Sequence, residues 1–186
     1  MTLIIALVVI VLLGLWLVGI YNNLVRMRNI RENAFANIDV QLKQRYDLIP
    51  QLVSTVKGYA EHEKEVFTRV TEARSAAMNA SSIDEKIKAD NLLSGALQGL
   101  KVSLEAYPEL KANQNFLQLQ GEIADIENKL SAVRRYFNTA TRELNNAVQT
   151  FPSNIIAGMF GFHKETMYDV GTEHRETMDK APEIKF

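Results

Sequence analysis

The sequence predicts an all-α protein, with an N-terminal transmembrane helix continuous with a long antiparallel helical bundle. Three observations predict it. Residues 2–20 (TLIIALVVIVLLGLWLVGI) carry no charged side chain. Beyond them Tyr21, Val25, Phe35, Ile38 and Leu42 share one stripe at helical spacing, and no breaker appears before Pro50. From Phe116 to Phe151, apolar residues recur at alternating three- and four-residue steps without a miss.

The first of these is an anchor by length and by chemistry. At 1.5 Å rise per residue the run makes a helix about 28 Å long, which matches a hydrocarbon core of about 30 Å. One lysine or acid at mid-bilayer would cost about 2.5–3.5 kcal/mol, and the run holds none. Trp16 and Tyr21 stand near its end, where a ring can rest in the acyl boundary with its polar atom among headgroups. A cleaved secretory signal would need a basic leader, a shorter apolar core and small residues before the cut. The chain instead starts Met1-Thr2-Leu3, and Gly19-Ile20-Tyr21 is a poor cleavage context. Membrane lipid is therefore the expected partner of residues 2–20.

Composition removes several function classes. Lysine and arginine number 21 against 22 acidic residues, a formal net charge of −1, so no basic face marks a nucleic-acid partner. The absence of cysteine excludes a lipoprotein anchor, disulfides, thiolate zinc sites, iron–sulfur clusters and thiol nucleophiles. Arg26, Arg28 and Arg31 follow the apolar run, and only the α-amino group precedes it. That bias expects a single-pass protein of the cell membrane with its bulk in the cytoplasm.

The expected domains are an anchor over 1–21, a helical bundle over 22–162, and a polar tail with an apolar end over 163–186. The first rod should bend or end just before Pro50, because proline disfavours α geometry in the residue preceding it. A second helix then restarts at Pro50 and runs to about Met78, with Leu52, Val56, Tyr59, Val66, Val70, Ala73 and Ala77 on its inner face and Gly58 as a weak point. Ser82 and Glu85 have capping-box spacing and open a third helix. That helix carries Ile83, Ile87, Leu93, Leu97, Leu100 and Leu104, and its Gly95 and Gly99 predict close helix packing. Tyr107-Pro108 ends it. The stripe from Phe116 follows, roughly five heptads or about 50 Å of helix, and serves as the central helix of the bundle or as a homo-oligomeric coiled-coil seam. Phe151-Pro152 stops it, Ile155 to Phe162 reads as a short apolar helix, and the chain from His163 on reads as polar and mobile.

Certain residues carry a resemblance. The run Ile38-Asp39-Val40-Gln41-Leu42-Lys43-Gln44-Arg45-Tyr46-Asp47-Leu48-Ile49-Pro50, then Val56-Lys57-Gly58-Tyr59-Ala60 with His62-Glu63, resembles the signature of the LemA family of bacterial membrane proteins. Tyr107-Pro108-Glu109-Leu110-Lys111-Ala112, Phe116 with Leu119-Gln120, Arg134-Arg135-Tyr136-Phe137-Asn138, Phe151-Pro152 and the terminal Ala181-Pro182-Glu183-Ile184-Lys185-Phe186 match further blocks in order. Gln44 and Tyr46 stand where the family is more basic, and Phe137 stands where it has tyrosine. The resemblance implies an N-terminal anchor, an antiparallel helical bundle and no established enzymatic activity.

Catalytic and metal patterns are missing. None of His62, His163 or His174 has a glutamate three residues earlier, as di-iron bundles require, and His62-Glu63 lacks the second histidine of a zinc protease helix. No phosphate loop or serine elbow is present, so no cofactor is expected. Glu61, His62, Glu63 and Glu65 read as a solvated helix face. The candidate site is a charged cluster, Asp39, Lys43, Arg45 and Asp47 beside Pro50, facing Lys57 and Arg134, Arg135 and Asn138. Near a proline bend, freed backbone groups need partners, so the cluster is a structural clamp or a partner site. Ile184 and Phe186 alternate with Lys185 and are expected to dock in the functional assembly. The expected function is a non-enzymatic membrane scaffold that binds membrane or peripheral proteins. A membrane-shaping homo-oligomer and a regulator of a membrane protease are the alternatives.

Overall fold

A computed structural model describes residues 1–60 and 62–168, and all regular structure among them is helical. Helix α1 (Thr2–Lys57) is one unbroken element of 56 residues. It is followed by α2 (Lys64–Asn79), α3 (Ile83–Ser103), the single turn α4 (Pro108–Lys111), α5 (Gln114–Gln149) and the short α6 (Ser153–Met159). The chain forms two compact units, one of Met1–Asn37 with Val133–Met167, the other of Ile38–Ala132 with Tyr168.

The anchor continues into the first bundle helix, but α1 does not bend away or stop at Pro50. It passes through the exposed proline and ends at Lys57, so the restart expected at Pro50 falls instead at Lys64, beyond Gly58. The reason is visible one turn back. Proline lacks the N–H that would bond the carbonyl of residue 46. Arg74 Nε of α2 donates to that Tyr46 carbonyl at 2.7 Å, so the orphaned acceptor is satisfied from outside the helix. The turn after Gly58 closes with Tyr59 and Ala60 amides on the Val56 carbonyl.

In the second unit α2 and α3 form an antiparallel hairpin around Ala80–Ser82. Ser82 caps α3 as its spacing predicts: its hydroxyl accepts the Glu85 amide at 3.2 Å, and the Glu85 carboxylate accepts the amides of Ser81 at 2.9 Å and Ser82 at 3.2 Å. Those bonds hold the Glu85 carboxyl below its ordinary pKa of 4.5, the Ser81 amide contributing most, then the Ser82 amide and the Ser81 hydroxyl. The core collects Ile38, Leu42, Ile49, Leu52 and Val56 of α1, Val70 of α2, Leu93 and Leu100 of α3, Leu110 of α4, and Phe116 and Leu130 of α5. Two corners are tied together where Asn113 Nδ2 donates to Tyr59 Oη at 2.9 Å.

In the first unit α1 and α5 run antiparallel. Phe35 stacks edge-on against Phe137 at 5.5 Å, while nearer the anchor Leu24 and Val25 pack with Ala147 and Val148. Of the α5 stripe, Phe116, Leu119, Ile126, Leu130, Phe137, Ala140 and Leu144 are buried, Ile123, Val133 and Ala147 are half-buried, and Phe151 at its end is exposed. Ser153 Oγ donates to the carbonyls of Ala147 and Thr150 and so closes the end of α5. Helix α6 ends where Gly161 adopts φ +73°, and the Phe162 amide reaches back to the Ala157 carbonyl at 2.9 Å. That left-handed residue suits glycine and turns Phe162 into the core beside Leu24 and Ile156. Residues 163–168, read from sequence as the start of a mobile tail, are held by side chains described below.

Candidate functional site: a buried ion cluster

Arg45 occupies an α1 position between Leu42 and Ile49, on the stripe that faces the core, and is only 2% exposed. Asp90 breaks the α3 stripe between Ile87 and Leu93 in the same way and is 0% exposed. The two meet: Arg45 Nη1 donates to Asp90 Oδ1 at 2.8 Å. Arg45 Nη2 donates to Ser94 Oγ at 3.1 Å and pairs with Glu127 Oε1 of α5 at 2.9 Å. The second Asp90 oxygen accepts the hydroxyl of buried Tyr168. One guanidinium therefore joins α1, α3 and α5, and one carboxylate fixes residue 168. Among the described residues Arg45 Nε meets no acceptor. Taking an ion pair out of water carries a large desolvation cost, so the pair contributes little net stability. The pair constrains register, because sliding α1 or α3 by one residue would leave a buried charge unpaired.

The remaining predicted residues are dispersed. Asp39 pairs with Lys86 of α3 at 2.7 Å, a half-exposed bridge. Lys43 and Asp47 form an exposed i, i+4 pair at 3.0 Å, of the kind worth about 0–1 kcal/mol. Pro50 is exposed on α1, and Lys57 is exposed at its last position. Arg134, Arg135 and Asn138 lie on α5 in the other unit, where each has interactions of its own. Ile184 and Phe186 fall outside the described residues.

A second buried cation, on α1 in the first unit, lies outside the charged cluster expected from the sequence. Arg31, 4% exposed, pairs through Nη2 with Glu165 Oε2 at 3.1 Å and lies 5.1 Å over the Phe137 ring. The Asn145 side chain clasps the backbone of Glu165 at both ends, accepting its amide at 2.7 Å and donating to its carbonyl at 2.9 Å. The available signal was positional: Arg31 and Asn145, like Arg45 and Asp90, interrupt core stripes.

Gly95 and Gly99 do not make the close helix approach expected of them. A methyl built on either would meet nothing within 4 Å. They line an open groove of about 490 Å³ with Val66, Ala73, Ala76 and Leu92. Among the described residues no three histidine, cysteine or acidic side chains converge as a metal site.

The described residues form helices only, and one of these, Thr2–Lys57, is long and apolar enough to cross a bilayer. A model of the LemA family matches residues 34–186, and the chain belongs to that family. It is 27% identical over 169 residues to the protein LemA of Metamycoplasma hominis, covering 88% of this chain and 75% of that one. It is 22% identical to the magnetosome protein MamQ of Magnetospirillum gryphiswaldense and 21% identical to MamQ 2 of Paramagnetospirillum magneticum. Each of these alignments covers 77% of this chain and 62% of the relative's length.

Proposed function

We propose that the chain is a single-pass membrane scaffold without catalytic activity, whose helical domain binds membrane or peripheral proteins from the cytoplasmic side. The observation that carries this is α1. Its residues 2–19 are exposed without exception, while from Leu24 onward the same helix supplies core side chains. A segment that buries nothing in its own fold needs an apolar solvent. The buried ion cluster supports a structural role: Arg45 and Asp90 are spent on each other and offer no approach to a substrate. The relatives' names, protein LemA and magnetosome protein MamQ, state no reaction.

Crosslinking in intact membranes followed by affinity purification tests the scaffold. The reading expects distinct partner proteins whose recovery depends on the folded domain. Protease added to cells with an opened outer layer should leave the domain intact; complete digestion would reverse the assigned side. The open groove at Gly95 and Gly99 favours a second reading, in which copies associate laterally into a membrane-shaping oligomer. A stable multimer in detergent would select it.

A further inference from the structure

Residues 151–162 (FPSNIIAGMFGF) contain no charged side chain, yet much of the segment faces outward. Phe151 is 75% exposed, Ile155 53%, Met159 72% and Phe160 58%. The other side of the same short helix is fixed: Ile156 and Ala157 pack with Leu24 and Phe162 against Ile20, Tyr21 and Val25. Tyr21 touches the Phe160 ring at 4.7 Å between centroids. Ile20 is the last residue of the aliphatic run, and Leu24 lies only about 6 Å further along the helix axis. The apolar corner is thus attached at the level where α1 leaves the hydrocarbon. Cations stand on its domain side, where Arg28 lies 5.1 Å over the Phe162 ring.

We infer that the α5–α6 corner is a membrane foot, inserted in the interfacial layer of the leaflet from which α1 emerges. The inference rests on residues 2–20 spanning the bilayer. Its occupant is lipid, because the patch is continuous with the lipid-facing surface of α1 and made of aromatic, Ile and Met side chains. Such residues favour the zone between headgroups and acyl chains when neighbouring cations can reach phosphate. An exposed apolar patch of this kind in water would otherwise promote association.

The cysteine-free sequence allows a direct test on the full chain. Single cysteines replace Met159, Phe151, Ile10 or Leu92, each an exposed position, and carry an environment-sensitive fluorophore. Each protein is placed one copy per nanodisc of phosphatidylcholine and phosphatidylglycerol, which removes shielding by a second copy. At Met159→Cys and Phe151→Cys the label should be quenched by shallow spin-labelled lipid and be several-fold less accessible to aqueous iodide than at Leu92→Cys. Ile10→Cys should report deep lipid. If Ile10→Cys is deep while the other two match Leu92→Cys, the foot is wrong and the anchor stands. If Ile10→Cys is itself in water, both readings fall.

Discussion

Arg45, Asp90 and Arg74 make the polar contacts whose loss is easiest to read in single substitutions. Replacing Arg45 by Met strands the Asp90 carboxylate, 0% exposed, and should cost about 3–5 kcal/mol in urea unfolding. Adding Asp90→Leu should recover much of that loss, since an apolar pair of similar volume avoids the desolvation cost. If the double variant is as unstable as the single, the cluster acts through something other than charge. Arg74 offers a sharper cycle. Arg74→Ala should cost about 1–3 kcal/mol, because the Tyr46 carbonyl loses its donor. In a Pro50→Ala background residue 50 regains its N–H, so the same change should cost distinctly less. These pairings were half legible. A charge on a core stripe announces that a partner exists, as at Arg45 and Asp90, but the partner lies 45 residues away and no local spacing names it.

Helix limits were legible wherever the stopping signal is local. The Ser82–Glu85 box and the α5 stripe needed nothing beyond their own neighbours. Pro50 misled because its missing hydrogen bond to the Tyr46 carbonyl is replaced by one from Arg74, 28 residues beyond Tyr46. Gly95 and Gly99 misled because small residues permit an approach without supplying the approaching helix. With open space at both, Gly95→Ala and Gly99→Ala should each stabilise α3 by about 0.5–1 kcal/mol, seen as a raised thermal midpoint. A loss of partner recovery in the same variants would mark the groove as occupied in the cell. At the start of α3 the expectation concerns pH. The folded Glu85 carboxyl titrates below its unfolded value, so its contribution is present above about pH 4.5 and is lost as pH falls through the folded pKa. The stability difference between the native chain and Glu85→Ala should shrink over that window and stay flat at higher pH.

For the molecule as a whole, the anchor should be dispensable for folding. Residues 2–19 are exposed throughout, so deleting them should leave the helical content and unfolding midpoint of the remainder unchanged. The trimmed protein should nevertheless self-associate with rising concentration, because Phe151, Met159 and Phe160 would then lie in water. Light scattering checks this, and Phe160→Ser combined with Met159→Ser should restore the monomer. The anchor and the helical class could be read from composition and period alone. The apolar corner could not, since residues 151–162 look like any short buried helix until burial shows which of them face out.

The clasp between Tyr21 and Phe160 also limits how the protein can lean. A lone spanning helix is free to spin about its axis and to choose any azimuth for its tilt. Here α1 has no swivel between Ile20 and Leu24, and the Phe160 ring, just beyond α6, is pressed against one side of it. A bilayer that thins or thickens around residues 2–20 would change the tilt of α1, a response expected of any helix with hydrophobic mismatch. With the corner inserted as proposed above, that tilt would take a preferred direction, and bilayer thickness would set an angle of the first unit.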